Sequence, residues 1–599
     1  MALNSEQIKE HINDFAVCCC RLEAGTVINE SHLENPEIFT DLEESGILKI
    51  PSDCYTIGQA LGARLIKTID ALTPITPEYV NIAPSDRSTA IPLESAEYFN
   101  INSASEPTIK IHIAEGKDIK LEIPAAYRSL LPAAVGYINT PSPEKIVRTL
   151  KRKHFKIDEI IFGDETKIQG TTLILRHTDV LCKEAAESEE LVADVKLEII
   201  TPDKYSQHSE TIMDVQPIAC KESGKLGCGV TKVMDGVVFV LTGIDENGVQ
   251  IGEFGSSEGE MDRNIMWNRP GAPDKGEILI KTQVTIKAGA NMERPGPLAA
   301  HKASDYIADE IRKALKEADE ALCADEEEFT QVRRPGKPKI VVVKEIMGQG
   351  AMHDNLILPF EPVGTLGAIP NVDLGNLPIV LSPLEVLDGG IHALTCIGPA
   401  SKETSRHYFR EPLVLEAMRD EELDLAGVIF IGSPQVNSEK FYVSKRLGMM
   451  VEAMDIDGAI VTTEGFGNNH IDFASHIEQI GERGIKVVGV SYSAVQGALV
   501  VGNKHMRHMI DLNKSKHGIE NEILCNNTLT YEDAVRAIYM LKAVLAGEEV
   551  KAAEKTWNTD VKFNNIEAIE KATGKKVELA ENEQSLPKSK KRAEVYEIE

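Results

Sequence analysis

KIVVVKEI (339–346), AGVIFIG (426–432), GAIVTTE (458–464) and KVVGVS (486–491) are short apolar runs of strand length. Amphipathic stretches separate the later ones: SEKFYVSKRLGMMVEAM (438–454) follows the second run and HIDFASHIEQIGERG (470–484) follows the third. A strand without polar alternation must be covered on both faces, so apolar strands with intervening helices point to a buried parallel sheet with βα connections. Residues 335–547 are therefore expected to form a Rossmann-like, three-layer α/β domain, closed by a last helix at TYEDAVRAIYMLKAVLAG (530–547). Such sheets place ligands beyond the carboxyl ends of their strands. GSPQ (432–435) and EGFGNNH (464–470) fall at those ends. EGFGNNH holds no complete GxGxxG pattern, so a dinucleotide site is not expected there. Glu464, Asn468 and His470 remain candidates to face a substrate pocket.

Working outward, HKASDYIADEIRKALKEA (301–318) has helical spacing, with Ile307, Ile311, Leu315 and Ala318 along one side. The segments before it read as β-structure: DEIIFGDETKIQGTTLILR (158–176), KVMDGVVFVLTGIDENGVQIGEFG (232–255) and EILIKTQVTIK (277–287). Asp235-Gly236 and Asn247-Gly248 are hairpin-turn dipeptides. Residues 156–330 thus form a β-rich domain with a closing helix, and the acidic run Asp325–Glu328 with RRPGKPK (333–339) reads as a linker. Residues 126–155 contain Pro141, Ser142, Pro143 and the basic run Lys151-Arg152-Lys153, and read as a connecting segment with a solvated charged face. Residues 1–125 are expected to be an α+β domain, with a helix from Ser5 to about Arg21 and a hairpin at PTIKIHIAEGKDIKLEI (107–123). Residues 548–599 are a charged, weakly patterned tail. The expected class is a multidomain mixture of α/β and α+β, with β-rich N-terminal and middle portions.

The chain has 599 residues, enough for several domains with their own cores. Its net charge of -30 argues against nucleic acid and anionic membranes, which reward clustered Lys and Arg. No segment approaches a membrane span and the first residues carry no secretory pattern, so a cytoplasmic protein is expected. Ten cysteines without a CxxC pair suit neither a disulfide scaffold nor a zinc ribbon.

The chemistry concentrates in SPLEVLDGGIHALTCIGPASKETSRHYFREP (382–412). The Cys396 thiol can attack the carbonyl of Thr395 and move that acyl group from nitrogen to sulfur. β-Elimination then frees Thr395 as a new C-terminus, and the dehydroalanine left at 396 tautomerises and loses ammonia to water. The product is a pyruvoyl cap, a carbonyl electrophile made from the chain itself. Such cleavage requires a tightly held peptide bond. Asp388, Gly389 and Gly390 can shape the turn before it, and Gly398-Pro399 the exit after it. His392 and His407 are the candidate proton shuttles. A lone cysteine is more often a small buried apolar residue, and the residues by themselves leave that reading open.

DGGIHALTCIGPASKETSRHYFREP (388–412) resembles the processing segment of D-proline reductase proproteins. NDFAVCCCRLEAGTVI (13–28) and SGILKIPSDCYTIGQALGARLIKTIDALTPITP (45–77) are similar to the same family. FVLTGIDENGVQIGEFGSSEG (239–259) and GAPDKGEILIKTQVTIKAG (271–289) are similar to the substrate-binding component B of glycine, sarcosine and betaine reductases. The resemblance implies self-cleavage between Thr395 and Cys396 and a pyruvoyl cofactor derived from Cys396, with no metal or nucleotide. It implies capture of D-proline through that carbonyl and reductive ring opening to 5-aminovalerate. It also implies a separate selenocysteine-containing partner that supplies electrons, in a hetero-oligomer with both fragments. Component B of a glycine-, sarcosine- or betaine-type reductase, or an unprocessed scaffold paralogue, are the alternatives.

Three further features read as structural. His505 and His508 in KHMRHM (504–509) lack a third metal ligand and read as helix residues. Cys18, Cys19 and Cys20 read as partly buried packing. GEFGSSEGEMD (252–262) reads as a turn between strands, with carboxylate contact through its backbone as the alternative.

Overall fold

The computed structural model describes residues 11–80 and 144–550, with breaks at 23, 37–38, 40–47, 252–256, 291–294, 347–355, 371–375, 395–399, 466, 495–500 and 516–522, plus positions 567, 570, 571 and 576 of the tail. The chain divides into two compact units, Ala2–Pro36 with Gly46–Ser142, and Met1 with Glu37–Ser45 and Pro143–Glu599.

In the smaller unit, where a helix is expected from Ser5 to about Arg21, residues 15–22 run instead as bridged, extended chain, and residues 5–10 lie outside the described residues. Phe15 pairs with Thr56, Val17 with Pro74, Cys18 with Leu33 and Leu22 with Ile69. Cys18 and Cys20 are buried while Cys19 between them is half-buried, which is the two-residue alternation of a strand. The thiols behave as small apolar residues, packing with Ala16, Ile28, Leu33, Ile57 and Ile69. Core burial here overrides the modest helix propensity of residues 12–21. The expected hairpin at 107–123 lies outside the described residues.

The larger unit is mixed α/β and carries several sheets. Strand β1 (Lys145–Lys156) is the reading most changed by the structure. The basic run expected in a connecting segment lies within it, and the acidic run expected in a linker lies in β2 (Cys323–Arg333). The two strands are antiparallel neighbours that set Lys151 opposite Glu328, Arg152 opposite Glu327 and Lys153 opposite Glu326. Lys151 reaches Glu326 at 2.9 Å and Arg152 reaches Glu327 at 3.3 Å. Each run alone looks like solvated chain, and together they are a charge-matched pair of strands.

β1 and β2 join strands Gly229–Asp235 and Ala219–Ser223 in a four-stranded sheet. A second four-stranded sheet holds strands Val192–Ile200, Ile278–Ile286, Val237–Asp245 and Ile212–Gln216. Asp235-Gly236 is therefore not a hairpin turn, because the strands on its two sides belong to different sheets. Asn247-Gly248 does close a tight turn, with the Val249 carbonyl accepting from Asp245 N. The segment 158–176 forms three short strands. Helix α1 (Pro295–Glu317) covers this part of the core with Ile307, Ile311 and Leu315 buried as expected.

The four apolar runs form β3 (Lys339–Ile346), β4 (Asp424–Gly432), β5 (Gly458–Thr463) and β6 (Lys486–Ser491). β3 is central and pairs in parallel with β4 on one side and β5 on the other, and β6 continues beyond β5. Strand Met509–Asp511 extends the parallel set to five, and strand Ile379–Leu381 adds an antiparallel edge. Val341 and Val343 face one core, Ile340 and Val342 the other, so β3 is apolar on both sides. KHMRHM lies in a turn leading into that last parallel strand rather than on a helix. Among the described residues, no helix is long and apolar enough to cross a membrane.

Candidate functional site

Thr395 and Cys396 lie outside the described residues, and the chain on both sides of them is described. Upstream, helix Pro383–Leu387 is capped by Ser382 and ends at Asp388. Gly389 has φ +77°, and a Cβ there would meet Val363 N at 2.9 Å. A Cβ on Gly390 would meet Glu385 O at 2.4 Å, so both glycines are sterically required by this turn. Asp388 is fully buried and its carboxylate is held by Lys221 Nζ at 2.7 Å, Gly227 N at 2.8 Å and Thr231 Oγ1 at 2.6 Å. These partners fix the turn to strands on the β1 sheet.

After the turn, Ile391–His392 is a short strand paired with Leu356–Ile357. His392 is fully buried; its Nδ1 lies 2.7 Å from the Val363 carbonyl and its Nε2 lies 2.7 Å from His301 Nδ1. Asp214, His301 and His392 each place one nitrogen or oxygen within 4.8 Å of the others. Ala393 N donates to Ser405 Oγ at 2.8 Å, and Ser405 Oγ donates to Asp214 Oδ2 at 2.5 Å. Asp214 also accepts from Ser405 N at 2.8 Å, Val215 N at 2.9 Å and Gln216 Nε2 at 2.9 Å. Four donors saturate this carboxylate, which leaves it poorly suited to a cation. Downstream, the Ala400 carbonyl accepts from Asn527 N at 2.7 Å, so the junction runs between two buried, bonded anchors.

Helix α2 (Ser405–Phe409) carries His407. Glu403, His407 and Glu411 follow at four-residue intervals and close on Lys344 from β3. Lys344 Nζ lies 2.7 Å from Glu403 and 3.1 Å from Glu411, and His407 Nε2 lies 3.1 Å from Glu411 and 3.4 Å from Glu403. Burial alone would push the His407 pKa down; the two carboxylates outweigh it and hold it at about 9. Burial would likewise push Glu403 up, and Lys344 with His407 hold it below the usual carboxylate range. Two cations and two anions then cancel in a site closed to water. Glu403, His407 and Glu411 could group around a metal ion, and the Lys344 ammonium competes for the same carboxylates.

At the end of β5, Glu464 Oε1 accepts from Glu403 N at 2.9 Å and Tyr408 OH at 3.3 Å. Burial and the neighbouring Glu403 raise its pKa to about 7, a value suited to proton exchange near neutrality. His470 is buried and pushed down to about 4 by that burial, so it is neutral, and Asn468 is exposed. Ser433 of GSPQ donates to Asp472 at 2.6 Å beside Lys440.

Sequence reasoning missed His301, Asp214, Ser405, Lys344, Glu403 and Glu411. The four-residue spacing of Glu403, His407 and Glu411 and the lysine inside an apolar strand were visible signals. Nothing local marks His301 or Asp214, which approach His392 only through the fold.

Component B subunits of glycine, sarcosine and betaine reductases match over residues 148–498. The chain is 61% identical to the D-proline reductase proprotein of Acetoanaerobium sticklandii over 632 aligned positions, covering 100% of both chains. It is 25% identical to the glycine reductase complex component B subunits alpha and beta of the same organism, over 55% of this chain and 76% of that one. It is 23% identical to the sarcosine reductase complex component B subunit alpha of Peptoclostridium acidaminophilum, over 55% of this chain and 76% of that one. No solved structure matches. With a family match over more than half its length and 61% identity to a relative over both full chains, the chain belongs to the glycine, sarcosine and betaine reductase component B family of oxidoreductases.

Proposed function

We propose that this chain is the proprotein of a D-proline reductase, which cleaves itself between Thr395 and Cys396 and uses the carbonyl formed at 396 to hold D-proline for reductive ring opening to 5-aminovalerate. The observation that carries this reading is full-length identity of 61% to a D-proline reductase proprotein. The component B relatives align with only 55–57% of the chain, at 22–25% identity, which gives glycine, sarcosine or betaine less support as substrate.

The cleavage balances without a redox change. The Cys396 sulfur bonds to the Thr395 carbonyl carbon as the amide C–N bond breaks, and the thiol proton passes to the freed nitrogen. Loss of the α-proton at 396 expels the sulfur with the acyl group, and water hydrolyses that thioacid to a carboxylate and hydrogen sulfide. The dehydroalanine tautomerises and takes up a second water, releasing ammonia. A pyruvoyl carbonyl supplies an electrophile for amine capture and an electron sink at the adjacent C–N bond. The surrounding residues do the rest: Asp388, Gly389 and Gly390 shape the approach, Ser405 fixes Ala393, and His392 and Glu464 exchange protons near the junction. His407, held cationic, stabilises negative charge rather than acting as a base.

The reading includes a selenocysteine-containing partner as electron carrier, reduced by a dithiol, and a cytoplasmic location. It also includes a Rossmann-like three-layer domain whose strand ends at 432–435 and 464–470 face the substrate. A denaturing gel of purified protein tests the first step: two bands, ending at 395 and beginning at 396, with mass analysis showing a carbonyl-blocked terminus on the smaller. Borohydride trapping with D-proline against glycine, sarcosine and betaine tests the second. A single band that retains the Cys396 thiol in active enzyme overturns the reading.

A further inference from the structure

A cavity of about 420 Å³ lies where β1, β2, α2 and the helices Pro412–Arg419 and Tyr531–Leu545 meet. Pockets that hold small ligands span about 300–1,000 Å³, so this one is of ligand size. Asp388, His392, His407 and Glu464 do not line it. Its charges pair off with one exception. Arg152 meets Glu327 at 3.3 Å, His154 meets Asp235 at 2.9 Å, Arg406 meets Glu277 at 2.6 Å and Arg410 meets Asp274 at 2.9 Å. The carboxylates of Asp235 and Glu327 hold His154 up at about 9, so it counts as a cation at neutral pH. Arg419 is left over: its guanidinium has no hydrogen bond or ion pair among the described residues. The Tyr531 hydroxyl, near enough to feel the Arg419 charge, also has no hydrogen-bond partner among them. Arg152 is the buried member of the lining, 5% exposed, and its Nε has no hydrogen-bond partner either.

We propose that this cavity binds a short aliphatic monocarboxylate, with the Arg419 guanidinium and the Tyr531 hydroxyl as donors to its oxygens. The inference goes beyond the self-cleavage reading and does not depend on it. A chain of net charge -30 keeps one uncompensated cation on the wall of a ligand-sized cavity. One surplus positive charge matches one negative charge, which a carboxylate carries and a phosphate dianion exceeds. A planar guanidinium fork presents paired N–H groups at the spacing of carboxylate oxygens. Buried Val237 and Val238 and half-buried Leu415 also line the cavity and offer carbon surface to an aliphatic body. α2 lends Arg406 and Phe409 to this cavity and His407 to the cluster around Lys344, so an occupant contacts the helix that carries that cluster.

The test is titration calorimetry on the purified full-length protein with valerate, with pentylamine as the same carbon body lacking the carboxylate, and with inorganic phosphate as competitor. Wild type is compared with Arg419→Gln and with Arg507→Gln, which removes an exposed guanidinium that does not line the cavity; thermal melts serve as the fold control. Valerate is expected to bind wild type and Arg507→Gln saturably and alike, and pentylamine not to bind. A hydrogen bond to a charged group is among the stronger ones, so folded Arg419→Gln is expected to bind valerate about 10-fold or more weakly. Tyr531→Phe, which removes only the hydroxyl, is expected to weaken it less. No binding of valerate to wild type overturns the inference. Equal affinity in folded Arg419→Gln places the ligand elsewhere and overturns it as well. Displacement of valerate by phosphate at equal concentration shows a general anion patch and overturns the carboxylate assignment. Fragment formation at 395–396 is read separately on denaturing gels, so failure here leaves the self-cleavage reading standing, and failure there leaves this one.

Discussion

Lys344 and Glu403 are joined at 2.7 Å with the lysine side chain 1% exposed and the carboxylate 7% exposed. A charge on an apolar central strand is costly unless its partner is fixed. The first prediction follows from that pair. Lys344→Met removes one of two cations from a set whose carboxylates, Glu403 and Glu411, stay buried. Breaking a buried pair from one side costs about 3–5 kcal/mol. Urea unfolding is expected to show a loss of that size, and Lys344→Met with Glu403→Gln combined should be less than additive. A loss below about 1 kcal/mol would mean that the cluster is better hydrated than its geometry implies.

His407 gives the pH dependence of the same cluster. Its folded pKa of about 9 lies above an unfolded value of about 6.5. A raised pKa contributes stability that is fully present below the unfolded value and disappears as pH rises through the folded one. The contribution is therefore expected to be complete below about pH 6.5 and to be lost up to about pH 9, with a magnitude on the order of 3 kcal/mol. The difference in unfolding free energy between wild type and His407→Gln, followed across that window, isolates it from His154, which is also raised to about 9 by Asp235 and Glu327. A pH-independent difference would show that His407 is neutral in the folded protein.

The glycines of the turn before the junction predict a processing defect. Gly390→Ala places a methyl 2.4 Å from the Glu385 carbonyl, which is backbone and cannot swing aside. The helix Pro383–Leu387 or the strand Ile391–His392 must shift to relieve it. Slower fragment formation at nearly unchanged global stability is the expected result, read by gel and by thermal melting. Cleavage at the wild-type rate would show that the turn is not what holds the scissile bond.

Strand type in the last α/β portion was legible because an apolar run with no alternation has one common use, a covered parallel strand; the order of the strands in the sheet was not. The β1 and β2 pairing was not legible. Lys151-Arg152-Lys153 and Asp325–Glu328 each look solvated, and only their register across the sheet turns two exposed runs into partners. Asp235-Gly236 misled for a related reason: a turn dipeptide reports that the chain bends, not which strand it returns to. At the candidate site, Asp388, His392 and His407 could be singled out within 382–412, whereas His301 and Asp214, 91 and 178 residues away from His392 in sequence, approach it only through the fold and could not.

The last prediction concerns what happens after cleavage. β3 precedes residue 395, and β4 and β5, which pair with it on both sides, follow residue 396. Arg152 reinforces this link: it donates to the Leu387 carbonyl before the junction and to the Phe409 carbonyl, 2.9 Å away, after it. Its guanidinium also sits 3.9 Å from the centre of the Phe409 ring. Cutting the chain at 395–396 therefore severs one bond while leaving a central strand enclosed by the other fragment. The fragments are expected to elute together in size exclusion under native conditions and to separate only in denaturant. Arg152→Met, which keeps the packing volume but removes the donors, should lower the urea midpoint for separation, since two buried carbonyls lose a charged partner at about 1–3 kcal/mol each. Fragments that part spontaneously in buffer would contradict the continuous sheet.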